Sequence, residues 1–203
     1  MLYQTHSFRN AEVIFENDSQ YTALWQDIKD VLEEITDDDL INSFKTSTRK
    51  SKKSISDDIN KLIDKKLVDR GWLRQSPIFT SEIYFPTAKT HRWTLDFAKE
   101  EIAVEVAFNH GEATAWNLIK PVLSSELNHV EKAIQTSAGV IITATKNLKT
   151  LGNFDGSIGS YEKFLQYLKP FNNILTVPMM IIGLESPTSF YIDKTTKNVV
   201  MIP

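Results

Sequence analysis

The chain reads as an α/β protein on three observations. Residues 139–145 and 175–184 are short, continuous apolar runs, the mark of strands covered on both faces. Residues 102–108 alternate, with Ile102, Val104, Val106 and Phe108 to one side and Ala103, Glu105 and Ala107 to the other, which is a strand period. Elsewhere apolar residues return at helical spacing, as in Tyr21, Leu24, Trp25, Ile28, Val31, Leu32 and Ile35.

Taken in order, residues 1–16 predict an edge strand or arm, with AEVIFE as a short strand. Asn17, Asp18 and Ser19 are N-cap candidates for the acidic amphipathic helix that follows. Asp37, Asp38 and Asp39 end that helix or cap the next, because consecutive acids do not converge on one helix face. Residues 43–56, SFKTSTRKSKKSIS, are the least apolar stretch and predict a flexible basic loop. Ser56 is expected to cap a second helix with Asp57 and Asp58 in its first turn, a stripe of Ile59, Leu62, Ile63 and Leu67, and Gly71 as its stop. Residues 83–85 suggest a strand ended by Pro86. Residues 116–135 read as a helix with Pro121 near its start or at a kink, and with Lys120 and Lys132 exposed. Small polar residues over 150–157 predict a turn series, Tyr161, Phe164, Leu165 and Leu168 a helix ended by Pro170, and residues 189–202 a closing hairpin around 194–197.

At 203 residues the chain is long enough for a sizeable core, as one large domain or two small ones; of these we take a single domain over 1–203. The absence of cysteine excludes disulfides, zinc–thiolate sites and thiol nucleophiles. With no stretch of membrane-spanning length and no apolar run behind a basic start, the expectation is a cytoplasmic protein. The net charge of −3 argues against a generic nucleic-acid coat, yet acids crowd residues 12–39 and bases crowd 45–74. One face can therefore meet phosphates while the balance stays acidic.

The chemistry gathers at 93–109, WTLDFAKEEIAVEVAFN. A hairpin closed around Lys99 and Glu100 sets Asp96 opposite Ala103 or Glu105, and in either register the two carboxylates share a face. Two converging carboxylates are costly unless a proton or a cation lies between them, so the pair suits a divalent ion with hard oxygen ligands. The plainer alternative is two surface acids, which half-exposed strands carry routinely; Glu105, however, sits among apolar residues rather than other charges.

DFAKEEIAVEVAF also resembles the active-site hairpin of type II restriction endonucleases of the PD-(D/E)XK fold, and is most similar to the BglII and BamHI group. Asp96 matches the family aspartate and Glu105-Val106-Ala107 the family tripeptide. Residues 55–72, 139–146 and 177–185 resemble the family's helix and later core strands in the same order. The resemblance implies a mixed central sheet of five or six strands flanked by helices. It implies a homodimer that cuts double-stranded DNA with Mg2+ at a palindromic GATC-centred hexamer, R/GATCY, leaving 5′ overhangs. Asp96 and Glu105 would be catalytic, and Asp96, Glu105 and the Val106 carbonyl would hold the metal. Asn109, His110, Lys132, Lys146, Asn153, Asp155 and Ser157 are the candidates for contacting DNA. One departure stands out: Ala107 occupies the position where the family carries Gln, Glu or Lys, and a methyl group neither orients water nor offsets charge. A nuclease-fold protein that binds DNA without cutting it is therefore the second reading. A third, a glycoside hydrolase built on the same carboxylate pair, is disfavoured by the basic run over 45–74.

Overall fold

The computed structural model describes residues 1–47, 52–84, 93–126 and 130–202. Six strands form one mixed sheet in the order β1-β6-β5-β4-β3-β2. These are β1 (Tyr3–Phe8), β2 (Leu73–Pro77), β3 (Thr94–Lys99), β4 (Ile102–Val106), β5 (Ala138–Ala144) and β6 (Met179–Leu184). The central trio β4, β5 and β6 is parallel, and both edges are antiparallel. β5 and β6 are buried at every position, which is why they read as unbroken apolar runs. A separate hairpin, β7 (Phe190–Ile192) with β8 (Val199–Met201), closes the chain as expected.

Helices cover both faces. On one lie α1 (Ala11–Asn17), α2 (Ser19–Glu33), α3 (Asp37–Thr46) and α4 (Ser56–Asp69), whose apolar stripes meet Ile102, Val104, Val140 and Ile142. On the other lie α5 (Thr114–Ser125) and α7 (Tyr161–Leu168), packed on Ile141, Met179 and Ile181, while the short α6 (Lys146–Leu151) follows β5. Asp18 caps α2 by accepting from Gln20 N, and Thr36 with Asp39 forms a capping box that starts α3, so the acidic triplet is a helix start. Gly71, at φ +82°, ends α4, and Trp72 folds back with its amide on Leu67 O.

Several expectations give way to tertiary packing. AEVIFE is α1, not a strand: Ala11 and Phe15, four apart, are buried while Val13 is 61% exposed. Arg9 and Asn10, both at positive φ, turn the chain off β1 into that helix. Residues 82–84 form a 3-10 turn, and the strand that pairs with β3 is β2 upstream; Phe85 and Pro86 lie outside the described residues. The expected helix over 116–135 stops at Ser125, where the Ser124 and Ser125 hydroxyls bond back to Pro121 O. Beyond it, Thr80 N donates to Glu131 O and Ala133 N to Ile78 O, so Val130 and Ile134 pack on Phe79 and Leu95 instead of prolonging the helix. α3 runs to Thr46, so the first residues of the supposed loop at 43–56 are helical, and 48–51 lie outside the described residues. Ser56 is the first residue of α4 rather than its cap, its amide bonded to Ser54 Oγ. The turn series begins after α6, and β6 begins at Met179 rather than at 175.

Candidate active site

β3 and β4 form the expected hairpin with the turn one residue later, at Glu100 and Glu101, and Glu100 adopts a positive φ. The ladder runs Lys99↔Ile102, Ala98↔Ala103, Phe97↔Val104 and ends there. Continued by one pair, that register sets Asp96 opposite Glu105. Where the ladder ends the two strands are joined through side chains instead. Val106 N donates to Asp96 Oδ2 at 2.9 Å, and Asp96 N approaches Glu105 Oε1 at 3.4 Å. The aspartate and glutamate of the motif thus meet.

Their surroundings differ. Asp96 is half-buried and lines a cleft of about 340 Å3 with Asn60, Lys61 and Asp64 of α4 and Arg74 and Gln75 of β2. Glu105 is 1% exposed and lies under α5. Burial and the neighbouring Asp96 charge push its carboxyl up to about 8, against the pull of Lys120. Lys120 Nζ donates to Glu105 Oε2, and at 3.1 Å to Thr94 O. Lys120 is itself buried, so the expectation of an exposed lysine is corrected. It is the site residue that sequence reading missed, although a signal was present: Asn117, Lys120 and Ser124 recur at helical spacing in an apolar helix, and all three are buried.

Ala107 is buried in the cluster with Leu118, Val122 and Ile141, and its amide bonds to Ile142 O at 2.8 Å. Among the described residues no group of three or more His, Cys, Asp or Glu converges to hold a metal. The oxygen donors are the carboxyls of Asp96 and Glu105, with the Val106 carbonyl, which also accepts from Phe108 N at 3.2 Å. Two hard carboxylates in mutual repulsion beside an open cleft fit a divalent cation. Glu82, the acid of the 3-10 turn upstream of β3, is exposed.

Most of the candidate DNA-contacting residues come together in one loop cluster. Gly111 N bonds to Ser157 O and Gly159 N to Asn109 O, which lays the 109–111 loop beside 157–159. His110 and Asp155 are both exposed there, and the Asp155 carboxyl is held below its usual range chiefly by bonds from Ser157, with a smaller pull from His110. Asn153, at positive φ, ties this loop to the basic segment through Lys53 O. Lys146 opens α6, exposed. Asn109 Oδ1 accepts from Asn117 Nδ2 of α5. Lys132 stands apart, half-buried over the Phe79 ring and bonded to Leu123 O.

Comparison with known proteins gives the family and the fold. A model of the family described as restriction endonuclease BglII/BglIII matches residues 3–184. The crystal structure of restriction endonuclease BglII complexed with a DNA 16-mer superposes with a TM-score of 0.65 at 19% identity, covering 98% of this chain and 87% of that one. Free BglII superposes with a TM-score of 0.57 at 17% identity, covering 100% and 91%. At such identities the two structures speak for the fold. No curated protein sequence matches the chain.

Proposed function

The chain belongs to the restriction endonuclease BglII/BglIII family, a family of site-specific deoxyribonucleases, and we propose that it cuts duplex DNA with Mg2+ at R/GATCY, leaving 5′ overhangs. The observation that carries the reading is the meeting of Asp96 and Glu105 where the β3–β4 ladder ends, beside an open cleft. The finer choice of a GATC-centred hexamer rests on the resemblance to BstYI within the PD-(D/E)XK nucleases.

Asp96, Glu105 and the Val106 carbonyl would hold the ion, which supplies charge on the scissile phosphate and activation of water. Asp96 presents its carboxyl to the cleft, and Glu105 contributes from beneath α5. The loops carrying Asn109, His110, Asn153, Asp155 and Ser157 face base edges, since Asn pairs bidentately with adenine and Asp accepts from cytosine N4. Lys146 meets phosphate. A palindromic site calls for a two-fold protein, so the working unit is a homodimer of one-domain chains, acting in the cytoplasm within a restriction–modification system. Tolerance of either purine at the outer pair means that at least one base edge there goes uncontacted.

Ala107 favours one alternative, a family member that binds DNA and cuts weakly or not at all. A single gel decides. Duplexes carrying AGATCT, GGATCC and AGATCC are incubated with Mg2+ and with EDTA. Discrete Mg2+-dependent fragments at all three sites are expected. A specific shifted band without cleavage would select the binding-only reading, and neither cutting nor binding would remove both.

A further inference from the structure

We infer that Lys120 is the positioning residue of this site, entering from α5 to hold Glu105 in the absence of a functional side chain at Ala107; the inference rests on the nuclease reading above. Glu105 is clamped at both oxygens. Oε1 lies against Asp96 N at 3.4 Å, and Oε2 accepts from Lys120 Nζ, which is anchored in turn on Thr94 O at 3.1 Å. Thr94 belongs to β3, so the ammonium ties α5 to both strands of the hairpin. A carboxylate free at both oxygens would swing; this one has a partner at each.

The approach of α5 follows from small residues beneath it. A Cβ added at Gly139 of β5 would stand 2.7 Å from Pro121 Cβ and 2.9 Å from Pro121 Cγ, so only glycine lets the helix rest there. Ala107 packs in the same cluster as Leu118 and Val122. The short side chain that empties the third motif position thus also lets in the helix turn that carries Lys120. A cation reaching the paired carboxylates from a helix leaves the Asp96 side open for an ion and a phosphate.

The test uses the full-length protein and its Lys120→Met and Lys120→Arg variants. Calorimetric titration with Ca2+ alone reads the cation site without cleavage. Single-turnover cleavage over a range of Mg2+, DNA affinity in EDTA, and thermal melting complete it. Wild-type protein is expected to bind Ca2+ and cut. For Lys120→Met we expect Ca2+ affinity about tenfold weaker, Mg2+ half-saturation about tenfold higher, a cleavage rate at least 100-fold lower that excess Mg2+ partly restores, and DNA affinity within about threefold. Lys120→Arg retains the charge and recovers part of the rate; it decides the matter should the methionine variant fail to fold. A Lys120 variant that melts lower but keeps wild-type Ca2+ affinity and Mg2+ dependence shows a merely structural lysine and overturns the inference. Wild-type protein that neither binds Ca2+ nor cuts overturns the nuclease reading, and the inference with it.

Discussion

Gly139→Ala tests the link between helix packing and the site. The methyl would meet Pro121 Cβ at 2.7 Å, Pro121 Cγ at 2.9 Å and Met179 Cγ at 3.2 Å. Carbon atoms sit comfortably at about 3.5–4.0 Å, so α5 and β5 must part by roughly 1 Å. Met179 can swing aside, but the proline ring is rigid and the strand beneath it is paired on both sides. Overpacking of this kind costs about 1–3 kcal/mol. For a chain of this size each kcal/mol lowers the melting temperature by about 2–4 °C, so a fall of about 4–8 °C is expected for the middle of that range. The consequence for activity is larger, because the turn that moves carries Lys120. A shift of about 1 Å at a group that orients the site costs on the order of 100-fold in rate. Thermal unfolding by circular dichroism, with single-turnover cleavage well below the transition, measures both. Gly156→Ala is the control for melting alone, since nothing lies within 4 Å of its added methyl. Gly139→Ala melting within about 1 °C of wild type and cutting at the wild-type rate would falsify the claim that α5 rests on this strand.

Other consequences follow from buried charge and caps. Lys52 pairs with Asp58, whose side chain is fully buried and whose Oδ2 has no hydrogen-bond partner. Lys52→Met leaves that charge unpaired and should cost about 3–5 kcal/mol by urea unfolding, while pairing it with Asp58→Leu should recover most of the loss; equal costs for the two variants would contradict this. Asp39 is held below the usual carboxylate range chiefly by the Thr36 backbone amide. A depressed folded pKa stabilises above the unfolded value and is lost as pH falls through the folded one. Asp39→Ala should therefore cost about 1 kcal/mol at neutral pH, with the gap closing in acid. The Tyr3 hydroxyl is pushed up to about 12 by burial and its bond to Glu33. This is a raised pKa, so its contribution is complete below the unfolded value near 10 and disappears as pH climbs toward 12. The phenolate absorbance lost in Tyr3→Phe should accordingly appear only at the alkaline end of a spectroscopic titration.

The candidate carboxylates are legible in the sequence because the hairpin is local. Alternation from Ile102 names the face of each residue, and a short turn leaves few registers, so Asp96 and Glu105 have to fall near each other. The ends of elements are less legible. AEVIFE has strand-like Val13-Ile14 at its centre, yet Phe15 fills a place beside Tyr21 and Trp25 that only the helical form supplies. Residues 130–134 keep apolar residues at helical spacing, but the edge beside Ile78 and Phe79 takes their backbone bonds. Lys120 escapes a local reading for a related reason: a lysine in a helix is expected to be exposed unless the partner that compensates its burial is known, and that partner lies on another element.

The sequence by itself determined the α/β class, the buried central strands, the capped acidic helix and the pair of carboxylates, Asp96 and Glu105, that meet in the hairpin. These are written in periods of two and 3.6 residues and in caps, which act over one or two turns of chain. The tertiary structure alone decided which strands are neighbours, where α5 ends, and that Lys120 reaches Glu105. Those facts depend on how close two surfaces can come, and the closeness rests on the missing side chain of Gly139 and the small one of Ala107. Such fit is a property of pairs of elements distant in sequence, so no local pattern encodes it.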